Sequence, residues 1–91
     1  INKKFIEQNE NVYKKIIKIP KEGLYHGLYD LGIDFEKSIL FHNYIVLREA
    51  LGQDYHEALE SLFPLLINSS FEELLGKYRN ELFLITKLKL E

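Results

Sequence analysis

The sequence predicts a single all-α domain over residues 1–91, a compact bundle of four to five helices around a central buried helix at about residues 35–51. Three observations lead to this prediction. Apolar residues recur at helical spacing in five stretches of the chain. Short corners between the stretches carry glycine, proline or a helix-capping residue. A hydrophobic fraction of 46 % in 91 residues is that of a globular protein with one core.

The central helix is the most apolar stretch, and both its ends carry boundary signals. Apolar side chains cover roughly half of its circumference, which is wider than the single face usual for a surface helix. They form two adjacent stripes and one opposite patch, namely Leu40, Tyr44, Leu47 and Leu51; Phe35, Ile39, Val46 and Ala50; and Phe41 with Ile45. We therefore expect this helix to be buried on several sides. Asp34 is placed to cap its start, and Gly52 to end it in a left-handed conformation.

The first third of the chain predicts two helices separated at Pro20. Residues 2–19 carry apolar residues at helical spacing, although residues 12–19 also fit a short strand because Val, Tyr and Ile favour strands. The next helix contains Gly23 and Gly27, and a glycine inside a helix costs about 1 kcal/mol relative to alanine. We expect these glycines to form a smooth ridge where another helix approaches closely. Gly32 is predicted to end this helix.

The last two helices are predicted from capping residues and one proline. Asp54 with Glu57 has the spacing of a capping box before a short amphipathic helix. Pro64 is expected to kink or end that helix, with residues 65–67 forming an apolar turn. Ser70 with Glu73 forms a second capping box, which begins a final helix over residues 71–88.

Composition excludes several kinds of site and predicts the compartment. The chain has no cysteine, which excludes disulfides, thiol nucleophiles and zinc–thiolate sites. The first residues show no signal-peptide pattern, and no apolar run approaches the roughly 18 residues that a membrane span needs. We expect a cytoplasmic protein without membrane contact. Because the chain begins with Ile1 and lacks methionine, we expect it to be trimmed or part of a longer protein.

No catalytic, cofactor-binding or metal-binding motif is recognisable. The three histidines lie on three different predicted helices, and none has the HExxH spacing of a zinc site. Asp34, Ser38 and His42 share one helical stripe, but the serine lies between the other two, where a catalytic triad needs the histidine. The glycines match neither nucleotide-binding motif. We therefore expect no cofactor, no metal and no enzymatic activity.

Charge is distributed unevenly, with two basic ends and an acidic middle. Residues 1–21 carry a net charge of +4, residues 22–76 carry −8 and residues 77–91 carry +2. If the first and last helices pack side by side, Lys14, Lys15, Lys18 and Lys87 contribute to one basic strip that phosphates favour. Nucleic-acid binding is therefore the alternative function. The same pattern is also explained if the basic ends neutralise the acidic middle.

A surface on the second helix is the predicted contact site for a protein partner, formed by Glu22, Tyr25, His26, Tyr29 and Asp30. Tyrosine gives a large contact area at low entropic cost, and His26 is spaced to pair with Asp30 one turn further on. The two tyrosines also fit core positions. The sequence thus predicts a non-enzymatic protein that works through protein contacts or self-association, as a regulator, an adaptor or an immunity- or antitoxin-like inhibitor.

Overall fold

The computed structural model describes the backbone of residues 9–90 and the side chains of residues 9–87. Within that range every regular secondary-structure element is a helix, which confirms the predicted all-α class. The five α-helices are α1 (Glu10–Ile17), α2 (Leu24–Asp30), α3 (Phe35–Ala50), α4 (Tyr55–Asn68) and α5 (Phe71–Leu90), and a 3-10 turn (Lys21–Gly23) leads into α2.

The helix α3 lies at the centre of the bundle. It packs against α2, α4 and α5, while α1 packs mainly on α4. Its side chains Leu40, Phe41, Tyr44 and Ile45 are all buried. Because the buried helix contacts three neighbours, its predicted position at the centre of the bundle is confirmed. At about 100° per residue Phe41 and Ile45 lie next to Leu40 and Tyr44, not on the opposite side of the helix, which corrects the predicted opposite patch.

One side of α3 is exposed, and this corrects part of the expected burial. Phe35, Ile39 and Val46, which share one of the predicted apolar stripes, are exposed; we call these three residues the open stripe. The physical reason is the position of α1. Since α1 packs mainly on α4, the described helices that surround the central one are α2, α4 and α5, and none of them covers the open stripe.

Local chemistry sets the two ends of α3 as predicted. The Asp34 carboxylate accepts a hydrogen bond from the backbone amide of Lys37 at 3.3 Å, which satisfies one of the amides left over at a helix start. Gly52 has a φ of +97°, in the left-handed region that favours glycine. The amide of Gln53 then reaches back to the carbonyl of Arg48 at 3.1 Å, which closes the final turn.

Capping also begins α4 and α5. At α5 the capping box is complete, because the Glu73 amide donates to the Ser70 hydroxyl at 3.1 Å and the Ser70 amide donates to the Glu73 carboxylate at 3.0 Å. These hydrogen bonds lower the pKa of the Glu73 carboxyl. At α4 the Asp54 carboxylate accepts from the amide of His56 at 3.0 Å, so the cap forms over a shorter spacing than the one predicted with Glu57.

The first described helix is shorter than predicted. Residues 2–8 of the predicted helix lie outside the described residues, and α1 ends at Ile17 rather than at residue 19. Pro20 is extended, with φ −61° and ψ 141°, and proline disfavours helical geometry in the residue before it. Since residues 12–17 are helical, the strand alternative for residues 12–19 is wrong.

The side chains of α1 and of the corner after it attach to α4. The rings of Tyr13 and Phe63 meet edge-on, with centroids 5.2 Å apart, and Ile16 is buried. The Tyr55 hydroxyl donates to the backbone carbonyl of Ile19 at 3.1 Å. These contacts attach α1 to α4, and Ile16 joins the common core of the bundle.

Only one of the two glycines predicted to form a ridge allows a close approach. A Cβ atom added at Gly27 would lie 2.7 Å from Cγ2 of Ile19, whereas one added at Gly23 would have no neighbour within 4 Å. The approaching group is the Ile19 side chain, not the backbone of another helix. Gly23 also lies in the 3-10 turn rather than inside an α-helix. Only Gly27 makes a close contact, and the predicted approach of another helix to a ridge of both glycines is wrong.

Pro64 was predicted to kink or end α4; an end at Pro64 is wrong, because the helix continues to Asn68, and so is the predicted apolar turn over residues 65–67. A proline inside a helix costs about 3 kcal/mol through its missing amide and its clash with the preceding turn. Here the buried side chains Leu62, Phe63 and Leu66 flank Pro64 on both sides. Their burial favours one continuous helix and offsets that cost.

A charged pair joins α3 to α5. The Arg48 guanidinium contacts the Glu81 carboxylate through two hydrogen bonds, Nε to Oε1 at 2.8 Å and Nη2 to Oε2 at 3.0 Å. The buried Tyr44 donates its hydroxyl to the same carboxylate, and Arg48 lies 5.4 Å from the centre of the Tyr44 ring. Burial raises the pKa of the Glu81 carboxyl, whereas the guanidinium favours its charged form.

The two glycines give a matched test of the packing around Ile19. We expect Gly27→Ala to lower the free energy of unfolding by about 1–3 kcal/mol, because the new methyl group overpacks against a β-branched side chain. Gly23→Ala has open space and is expected to be neutral or stabilising by up to about 1 kcal/mol. Urea denaturation followed by circular dichroism measures both. Equal effects of the two substitutions would contradict the packing described.

The partly buried pair between α3 and α5 should couple more strongly than an exposed pair. In a double-mutant cycle with Arg48→Ala and Glu81→Ala we expect a coupling energy of about 1–3 kcal/mol. The control is the exposed pair of Glu10 and Lys14, whose charged atoms lie 3.0 Å apart and for which we expect about 0.3–0.5 kcal/mol. A coupling at the first pair no larger than at the second would show that it does not fix α5 on α3.

Candidate functional site

The candidate site is built where α2 lies against the open stripe of α3. Tyr25 and Tyr29 are one turn apart on α2, and Phe35, Ile39 and His42 recur at helical spacing on α3. The rings of Tyr29 and Phe35 meet edge-on with centroids 5.4 Å apart, and those of Tyr25 and His42 do the same at 5.5 Å. Edge-on contacts of this kind fix the rings in position.

The apolar members of the site are exposed to solvent. Tyr25 is 38 % exposed, Tyr29 53 %, Phe35 47 % and Ile39 36 %. The core interpretation of the two tyrosines is therefore wrong, since neither side chain is buried. Apolar side chains that adjoin one another on a surface mark an interaction site more often than isolated ones do.

A groove follows this side of α3. One depression of about 390 Å³ is lined by Tyr25, Phe35, Ile39, His42 and Asn43. A second of about 280 Å³ is lined by Glu36, Ile39, Leu40, Asn43 and Phe71. The two depressions lie side by side across α3, between α2 and the start of α5, and share Ile39 and Asn43 in their linings; we call them together the α3 groove.

The wall of the α3 groove contains an unsatisfied polar atom. Nδ1 of His42 is buried and has no hydrogen-bond partner among the described residues. A buried polar group without a partner costs about 1–3 kcal/mol. Because this atom is also inaccessible from the groove, the unmet hydrogen bond lowers the stability of the fold and does not by itself offer a contact to a ligand.

The predicted contact residues are all exposed, but they do not form one cluster. His26 and Asp30 lie beside the tyrosines on α2, with Nδ1 and Oδ2 3.4 Å apart as their spacing suggested. Glu22 lies toward α4 instead. Burial raises the pKa of Tyr55 to about 12, and the charges of Glu49 and Glu22 add to that rise.

Sequence reasoning missed the α3 half of the site. Phe35 and Ile39 were assigned to the buried centre, and His42 was given no role in the contact surface. The signal was the unusual width of the apolar surface on the central helix, which exceeds what one packed face requires. Acidic groups beside these residues, Asp34 and Glu36, give this end of the groove a negative rim.

The lysines of the nucleic-acid alternative are exposed but belong to helices with different main partners. Lys14, Lys15 and Lys18 lie on or just after α1, whose main partner is α4, whereas Lys87 lies on α5, whose main partner is α3. Lys14 is also paired with Glu10 at 3.0 Å. The side-by-side packing that would merge them into one strip is not the main contact of either helix.

Other chemistry finds little support in the geometry. The buried Ser38 donates its hydroxyl to the backbone carbonyl of Asp34 at 2.8 Å, so the stripe of Asp34, Ser38 and His42 does not have the contacts of a triad. Over residues 9–90, no three metal-ligating side chains come together. No helix in the same range combines the length and apolar character needed to cross a membrane.

Comparison of the chain with protein-family models, with curated proteins and with solved structures finds no significant match. The function is therefore argued from the geometry of the site.

Proposed function

We propose that this protein is a non-enzymatic contact module whose working surface is the α3 groove together with Tyr25 and Tyr29. The observation that carries the proposal is the open stripe. Phe35, Ile39 and Val46 are exposed on the same helix whose other sides form the core. A small domain loses stability by leaving apolar surface in water, which is consistent with a stripe retained for binding.

The shape of the site supports an extended helical partner rather than a small molecule. The groove is open, and its apolar residues Phe35 and Ile39 are one helical turn apart on α3. An amphipathic helix laid along it would place anchors at the same spacing. Tyr25 and Tyr29, held by edge-on ring contacts, provide rigid contact area of the kind that dominates binding energy at interfaces.

The charge around the site supports a basic partner. Asp30, Asp34 and Glu36 are exposed around the Phe35 end of the groove, and complementary charge speeds association and selects among partners. A regulator, an adaptor or an inhibitor of a basic protein would each use such a surface. Nucleic acid, which is itself acidic, is disfavoured at this rim.

The test removes the two tyrosines without touching the core. Because both side chains are exposed, Tyr25→Ala combined with Tyr29→Ala is expected to keep the helical circular dichroism signal. It should weaken capture of a partner from the native source by at least about 30-fold, as loss of roughly 2 kcal/mol at a binding hot spot implies. Leu51→Ala, at a comparably exposed apolar side chain outside the groove, is the control and should leave capture unchanged.

Two results would count against the proposal. Capture that survives the double tyrosine substitution would place the contact surface elsewhere. An electrophoretic shift of DNA or RNA that is lost on Lys14→Glu with Lys15→Glu would support nucleic-acid binding instead.

A further inference from the structure

A second apolar surface lies on the last described turns of α5. Leu82 is 40 % exposed, Phe83 65 % and Leu84 50 %. Consecutive helical residues are about 100° apart, so these three side chains point to different sides of the helix. A flat partner surface would cover one of them at a time, whereas a groove encloses a helix on several sides. We call residues 82–87 the α5 tail.

The charge of the α5 tail is opposite to that of the α3 groove. Lys87 is exposed at its end, and residues 77–91 carry a net charge of +2. The groove is bordered by Glu36, which lines it, and by Asp34 and Asp30 near its Phe35 end. The same chain therefore carries an apolar and basic helical segment and an apolar groove with an acidic rim.

The α5 tail cannot enter the groove of its own chain. Phe71 lines the groove at the start of α5, and the tail follows it by 11 to 16 residues on the same continuous helix. At 1.5 Å per residue the tail lies about 17–24 Å further along the helix axis. The contacts of Arg48 with Glu81 also hold α5 along α3 just before the tail. The groove that the tail can reach is that of another molecule.

We propose that a second copy of this chain fills the α3 groove with its α5 tail. This inference rests on the proposed contact surface and names its occupant. If each copy inserts its tail into the groove of the other, the two contacts are related by a two-fold axis and the assembly closes as a dimer. Lys87 brings a positive charge and hydrogen-bond donors to a groove that is lined by the carboxylate of Glu36.

The test measures mass by sedimentation velocity over a wide range of concentration. Wild-type protein is expected to pass from monomer to dimer as the concentration rises. Phe83→Asp removes the tail anchor and Ile39→Asp the groove floor, and each should weaken dimerisation by at least 100-fold. Val12→Asp, at an exposed apolar residue of α1, is the matched control and should dimerise like the wild type. Phe35→Asp replaces Ile39→Asp if circular dichroism shows that the latter unfolds.

Mixing the two variants distinguishes the tail-in-groove contact from other dimers. The Ile39→Asp chain keeps its tail and the Phe83→Asp chain keeps its groove, so an equimolar mixture retains one of the two contacts. We expect a heterodimer that is weaker than the wild-type dimer but stronger than either variant alone. A dimer that tolerates Ile39→Asp and is lost on Phe83→Asp would indicate contact between two tails and would overturn the inference.

Failure of this inference can be told apart from failure of the proposed function. Wild-type protein that stays monomeric at millimolar concentration overturns the tail-in-groove dimer. If a different protein is then captured in a manner that depends on Tyr25 and Tyr29, the proposed contact surface remains supported with another occupant.

Discussion

The rest of the structure depends on how many sides of α3 a chain of this size can cover. Leu40, Phe41, Tyr44 and Ile45 are buried over an arc of roughly 140° of the helix, so several neighbours are needed along that arc. The helices α2, α4 and α5 provide them, and α1 packs mainly on α4. Among the described helices, none covers the side of α3 that carries the open stripe, and that side is exposed to solvent.

The uncovered side is organised rather than merely exposed. On this side of α3, the rings of Tyr25 and Tyr29 of α2 contact His42 and Phe35 edge-on. These contacts form one border of the groove. On another side of α3, Arg48 and Tyr44 hold the Glu81 carboxylate. That polar contact sets the position of α5 along α3. The start of α5 then lines the groove, and its apolar end lies away from it.

The sequence predicts the helix boundaries well where the chemistry is local. The residues that set these boundaries act on backbone groups only a few positions away, as Asp34, Gly52 and the pair of Ser70 and Glu73 do. All the interacting groups therefore lie in one short stretch of sequence, and their effect can be predicted from it. Pro64 was misjudged because its effect is decided by the burial of the side chains on either side of it, which depends on the other helices.

The candidate site was only half predictable for the same reason. Tyr25 and Tyr29 stand out as a pair on one short helix, so the sequence alone suggested them as contact residues. Phe35 and Ile39 look identical to core residues in sequence, because the 3.6-residue period shows that a face is apolar but not which helix covers it. Which face of α3 stays exposed depends on where α1 packs. Contacts such as that of Tyr13 with Phe63 attach α1 to α4.

The most direct test compares two phenylalanines of α3 in unfolding experiments on dilute, monomeric protein. Phe41 is fully buried and Phe35 lies in the open stripe. We expect Phe41→Ala to lower the free energy of unfolding by about 3–5 kcal/mol and Phe35→Ala to lower it by no more than about 1–2 kcal/mol, since about half of its surface area is already in water. Similar losses at both positions would contradict the claim that one side of the central helix is left open.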